Sequence, residues 1–136
     1  MPPEFIRGLR LSPGNFAPMF KVFCVWGTLR TRDLTALIDS GADRTIVPFL
    51  IPEALGIRWE TLADAPDVAG FGGSDAEKFW DVDLRATLWP AFSISDRVAV
   101  VRRAVPLVLG RDDFLSRVRV EFHWYRDPPF FGVEQV

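Results

Sequence analysis

Cysteine and histidine are nearly missing from this sequence: Cys24 and His123 are single occurrences in 136 residues. One cysteine excludes an internal disulfide. One histidine with no CxxC pair leaves a zinc site short of ligands, so no metal is expected. Charge of either sign is also scarce in excess, since 16 Lys and Arg against 18 Asp and Glu leave a net −2. That balance offers no basic field for nucleic acid. No run approaches the ~20 apolar residues that a membrane-spanning helix needs, and the opening MPPEFIRGLR lacks the apolar stretch of a signal peptide. With the lone cysteine, this points to a reducing, cytoplasmic setting. Tandem repeats and low-complexity linkers are absent too. What is present is apolar substance, 49% hydrophobic and 13% aromatic residues. A chain of this length suits one domain, burying roughly 65 to 70% of the surface it would expose unfolded.

The pattern of that apolar substance is mostly β. FKVFCVWGTL (20–29) is rich in β-branched and aromatic residues, and the polar RTRD (30–33) separates it from LTALI (34–38) as the two arms of a hairpin ending at Asp39. In FWDVDLRATL (79–88), Asp81, Asp83 and Arg85 alternate with Val82, Leu84 and Ala86, the period of a half-buried strand. FSISDRVAVV (92–101), AVPLVLG (104–110) and RVEFHWY (119–125) read as further strands. IPEALGI (51–57) has a proline at a plausible helix start and Gly56 at its stop, giving a single short turn of helix. RDDFLSRV (111–118) is the best candidate for a second helix, near the C-terminus. The segment 126–136 contains two adjacent prolines, which cannot donate to a ladder, and is expected to lie as a tail on the surface.

Asp39 presents a problem at the end of its strand. An acid directly after Leu37 and Ile38 faces a desolvation cost unless it is paired or used. Asp, Ser and Gly are favoured turn residues, so DSG alone more often marks a plain turn. The longer string adds constraints: Gly41 allows a sharp reversal, Ala42 is small enough for close approach, and Ser40 offers a hydroxyl. VLG before a polar segment is also common, and VAGFGGS (68–74) lacks the Lys-Ser/Thr of a phosphate-binding loop. Each feature is weak singly, but their order carries more than any one of them.

Taken together, LIDSGADRTIVP (37–48), VAGFGGS and VPLVLGRDDFL (105–115) resemble the signatures of the aspartic peptidases in the single-lobe, retroviral (retropepsin) form. The resemblance spans roughly residues 18–124. It implies a mostly β, closed retropepsin-like (acid protease) barrel with one short C-terminal helix and one lobe per chain. An N-terminal arm (1–17) would precede the peptidase domain (18–125), and the tail (126–136) would follow. It further implies an aspartic endopeptidase with Asp39 as catalytic acid. That chemistry uses two carboxylates about 3 Å apart sharing a proton. With one DSGA per chain, the second acid must come from a two-fold partner, so a homodimer acting on an extended peptide or protein is implied.

The resemblance also assigns supporting roles. Ser40 would bond across the axis, Gly41 and Ala42 would shape the turn, and Arg111, after Gly110, would pair with Asp43. Gly70, Phe71, Gly72 and Gly73 would form the tip of a flap over the substrate. Ala42 stands where relatives can carry a hydroxyl, and its lack of one is expected to move activity toward weakly acidic or near-neutral pH. Arg44 departs from the pattern, since many retroviral members have a second acid there. Neither metal nor cofactor is implied. Cys24, alternating with Val22 and Trp26, reads as a small core residue rather than a nucleophile, and the five tryptophans as core and cleft material. Two alternatives stay open: a retropepsin-fold peptide-binding or dimerisation module with weak or no turnover, and a monomer whose DSGA is only a turn.

Overall fold

The fold was obtained as a computed structural model that describes residues 4–7, 9–12, 15–65, 77–89 and 91–136. Six strands close into a barrel. In spatial order they are β4 (Met19–Trp26), β6 (Leu34–Ile38), β11 (Leu107–Leu109), β7 (Ile46–Pro48), β10 (Ser93–Val101) and β9 (Glu77–Ala86), and β9 pairs back onto β4. Short β5 (Leu29–Arg30) and β8 (Ala63–Ala65) extend the sheet beside β4 and β9. A separate three-stranded sheet sets β13 (Phe130–Gln135) between β1 (Glu4–Arg7) and β12 (Val118–His123), while β2 (Leu9–Ser12) and β3 (Asn15–Ala17) form a small hairpin. One short helix, α1 (Leu50–Ala54), follows β7, and Gly56 at φ +84° reverses the chain just after it, as a left-handed glycine can.

Alternation along the strands fills the barrel. In β9, Trp80, Val82, Leu84 and Ala86 are buried while Asp81 is exposed, which is the period-2 pattern read from the sequence. Phe20 lies at the centre of an aromatic cluster, with Trp89, Phe92 and Phe114 at ring-centroid distances of 5.4, 5.4 and 5.9 Å. Cys24 is fully buried in the same core, and burial raises its thiol pKa to about 12. At that value it carries almost no thiolate and packs as a hydrophobe. Trp59 and Trp80 are buried too, but Trp26 and Trp124 are exposed, so the expectation of core and cleft placement holds for only part of the set.

Three local expectations need correction. The first strand ends earlier than 29, because Gly27 at φ +60° turns the chain tightly and pairs Trp26 with Leu29. The expected helix over 111–118 is instead a compact turn, in which Leu115 N–H donates to Gly110 O and Ser116 N–H to Arg111 O, both at 2.9 Å. Only Leu115–Arg117 makes a single 3-10 turn. Within this turn Asp113 is buried against Thr45 and Phe114 enters the aromatic cluster beside Phe20 and Phe92. Finally, 126–136 is not a surface tail. Pro128 and Pro129 sit in the connection before β13, and the chain then resumes a ladder with β12 and β1. Phe131 and Val133 of β13 join the barrel core.

This placement makes the last strand structural. Replacing the fully buried Phe131 by Ala is expected to lower unfolding free energy by about 3 to 5 kcal/mol. Urea denaturation of the full chain measures it, and a loss under about 1 kcal/mol, the range of a surface change, would contradict the packing described.

Candidate active site

Two parallel strands bring two loops together. β11 runs beside β6 in the register Leu107↔Ala36, Val108↔Leu37, Leu109↔Ile38, and Asp39 N–H donates to Leu109 O at 3.1 Å. Asp39 therefore begins a turn at the end of β6 with its backbone already anchored to β11. Its carboxylate Oδ1 accepts the Gly41 N–H at 2.8 Å, and Asp39 O accepts the Ala42 N–H at 3.2 Å. The side chain thus bonds the backbone two residues on, the local turn that Asp favours. A Cβ on Gly41 would stand 3.1 Å from that carboxylate oxygen, so a side chain there would crowd the acid. Asp39 is half-buried, Ser40 and Gly41 are exposed, and Ala42 is buried, packing with Ile46, Ala99, Val101 and Val108.

The loop after β11 locks onto this turn through backbone groups. Arg111 N–H donates to Ala42 O and Asp112 N–H to Asp43 O, both at 2.9 Å, and Gly110 N–H donates to Thr45 Oγ1 at 3.2 Å. A Cβ on Gly110 would lie 2.2 Å from the carbonyl carbon of Arg44. No side chain fits at that distance, which is why this position is glycine. Arg111 and Asp43 form an ion pair, bringing together the two residues that the sequence pointed to. With both partly exposed, its energetic share is about 0 to 1 kcal/mol. Arg44 lies over the Phe79 ring with its guanidinium carbon 5.3 Å from the centroid.

Sequence reading missed the buried partner of this interlock. Asp113 is only 4% exposed; it accepts the Thr45 N–H on both oxygens at 2.9 Å and the Thr45 hydroxyl at 2.7 Å. No pattern distinguishes Asp113 from Asp112 in the sequence, and only the fold turns one inward. Burial pushes the Asp113 carboxyl above its ordinary value; the Thr45 bonds partly oppose this, and the Asp96 charge adds to it. On the other side of the barrel, β8 and β9 pair as far as Ala65↔Glu77. Gly70, Phe71, Gly72 and Gly73, assigned to a flap tip, lie outside the described residues. Among the described residues no three His, Cys, Asp or Glu side chains gather as a metal site. His123 Nε2 lies 3.0 Å from Glu121 Oε1.

The Asp113 shift makes stability depend on pH in a defined direction. A carboxyl whose pKa is raised by folding contributes most below its unfolded value of about 3.9 and loses that contribution as pH rises through the folded value. Asp113→Asn removes the titration while retaining a carbonyl acceptor for the Thr45 amide. Relative to the Asn variant, the wild type is expected to lose stability as pH rises from about 4 toward neutrality. Urea unfolding of both proteins across that range checks it; a difference that is flat or grows with pH would contradict it.

No protein-family model and no curated protein sequence matches this chain. Solved structures do. A retropepsin-like aspartic protease from Rickettsia conorii is similar over 96% of this chain and 98% of its own, at 12% identity and a TM-score of 0.57. The EIAV protease, solved in complex with the inhibitor HBY-793, is similar over 71% of this chain and 83% of its own, at 21% identity and a TM-score of 0.51. This chain therefore has the retropepsin-like aspartic protease fold with a single lobe.

Proposed function

We propose that the protein is an aspartic endopeptidase that works as a homodimer, with Asp39 and the partner subunit's Asp39 sharing one proton. The observation that carries this reading is the setting of Asp39. Its carboxylate is half-buried, its Oδ1 is held by the Gly41 amide, and its backbone is tied to β11. A carboxylate so fixed leaves its other oxygen for a water or a second acid. Of the solved structures with the same architecture, the Rickettsia conorii one is named a retropepsin-like aspartic protease and the EIAV one a protease, which agrees with the reading.

In the proposed reaction the ionised carboxylate accepts a proton from water as its oxygen attacks the peptide carbonyl carbon, and the protonated carboxyl donates to the carbonyl oxygen. The tetrahedral diol then collapses: the C–N bond breaks as the nitrogen takes a proton from one carboxyl, a diol hydroxyl returns its proton to the other carboxylate, and an acid and an amine leave with the dyad again holding one proton. Ser40 is assigned to the two-fold contact that holds the carboxylates coplanar. Asp43, Arg111 and Gly110 support the loop, and Gly70, Phe71, Gly72 and Gly73 are assigned to covering an extended substrate with backbone bonds. No metal, cofactor or covalent intermediate takes part.

Asp39→Asn is the direct test. Incubated with an unfolded protein substrate at several pH values, with and without pepstatin, the wild type is expected to cleave and the variant to show only background. Binding of an extended peptide should persist in both. Peptide binding without turnover by the wild type would instead establish a binding module. Because Ala42 brings no hydroxyl to the acid, the pH–rate profile is expected to peak in weakly acidic or near-neutral solution, and a maximum in strong acid would contradict that assignment.

A further inference from the structure

Trp26 ends β4 just before the tight turn at Gly27 and is 42% exposed. It borders a cavity of about 520 Å3, within the roughly 300 to 1,000 Å3 of small-molecule sites. Ile57, Leu62, Phe79 and Trp80 complete the apolar wall. The cavity thus lies where the segment that follows α1 meets β9, with Arg97 of β10 beside it. None of the residues lining it belongs to the Asp39 turn or to the loop after β11. Trp80 keeps a buried indole N–H with no hydrogen-bond partner among the described residues, and a buried donor left open favours a ligand that brings an acceptor.

The polar groups of the cavity are few, and most are already committed. Arg97 Nε and Nη2 donate to the two oxygens of Asp81 at 3.0 and 3.2 Å, and that contact holds the Asp81 carboxyl below its ordinary pKa. The same guanidinium stands 5.6 Å from the Phe79 ring centroid, and its Nη1 makes no hydrogen bond among the described residues. Thr61 Oγ1 donates to Arg58 O at 2.7 Å. The Arg58 side chain is the group left over. Its nearest acid, Glu60, is 3.9 Å away, beyond hydrogen-bond reach, and does not line the cavity. A neighbouring cavity of about 540 Å3 shares Trp26, Asp81 and Arg97 but adds Asp83, Asp96 and Arg85. The Arg97 and Asp81 pair is therefore common to one cavity with two further acids and one with an uncommitted guanidinium.

The geometry points to this cavity as a binding site for an apolar group that carries a carboxylate, either a free arylalkanoic acid or the C-terminal aromatic residue of a peptide. The carboxylate lies on Arg58 and Arg97 Nη1, since guanidinium donors match a carboxylate in plane and spacing. The apolar body lies against Trp26 and Phe79, a wall that inorganic phosphate would leave uncovered. The site needs neither a second copy of the chain nor the chemistry proposed for Asp39, so either can fail without the other.

The full chain is titrated with phenylacetate, with an acetylated dipeptide ending in phenylalanine, with the primary amide of each, and with inorganic phosphate. Calorimetry gives the affinities, and the indole N–H signals in an NMR correlation spectrum give the location, the signal lost in Trp26→Phe being that of Trp26. Both acids are expected to shift that signal, and each amide to bind about tenfold more weakly. The tighter of the two acids identifies the source, free acid or peptide terminus. Arg58→Gln and Trp26→Ala, both at exposed side chains, are expected to weaken the acids by a similar factor with circular dichroism unchanged. Amides that bind as well as the acids, or acids that bind Arg58→Gln as well as wild type, would overturn the carboxylate assignment. Phosphate that shifts Trp26 as strongly would overturn the apolar part. The absence of any shift with either acid at millimolar concentration would overturn the site.

Discussion

Everything at the site depends on two loops whose main chains touch. Gly110 lies so close to Arg44 that a Cβ would overlap the backbone at 2.2 Å, and across that contact run the bonds from Arg111 to Ala42 and from Asp112 to Asp43. Thr45 and Asp113 close the gap from beneath with three further bonds. Backbone bonds between residues about 70 positions apart in sequence (Ala42 and Arg111) hold a turn with little freedom to relax, and a turn so held can keep one carboxylate in place without burying it. The same interlock explains why the Asp43–Arg111 ion pair matters little energetically: a partly exposed pair contributes about 0 to 1 kcal/mol, while the buried Thr45–Asp113 cluster would leave unsatisfied groups if either member were lost.

Legibility in the sequence followed the range of the interactions. Strand alternation in β9 was readable because a period-2 pattern is set residue by residue, and the turn at Asp39 was readable because Asp, Gly and Ala each act on their immediate neighbours. Gly110 was found as part of a motif, but the reason for it, a main chain beside Arg44, belongs to a contact between loops. Asp113 was assigned to a helix because its role comes wholly from Thr45, far off in sequence, and adjacent Asp112 has the same local chemistry. The prolines before β13 were read as the end of regular structure; they mark only a connection, since the ladder that follows is stabilised by Phe131 and Val133 entering a core built by other strands.

Closure also separates two tasks within one chain. The six-stranded ring closes through β4 and β9 and holds the acid, with the short β5 and β8 at the margins of its sheet. The β1–β13–β12 sheet lies beside it with β13 in the middle, and the segment from Gly110 to Val118 joins the two. Leu115 and Ser116 bond back to Gly110 and Arg111, while Arg117 donates to Ser95 O at 2.8 Å and pairs with Asp96 on β10. That segment is therefore tied at one end to the Asp39 loop and at the other to the barrel wall before it enters β12. A connection tied at both ends in this way fixes where β12 begins relative to the Asp39 loop.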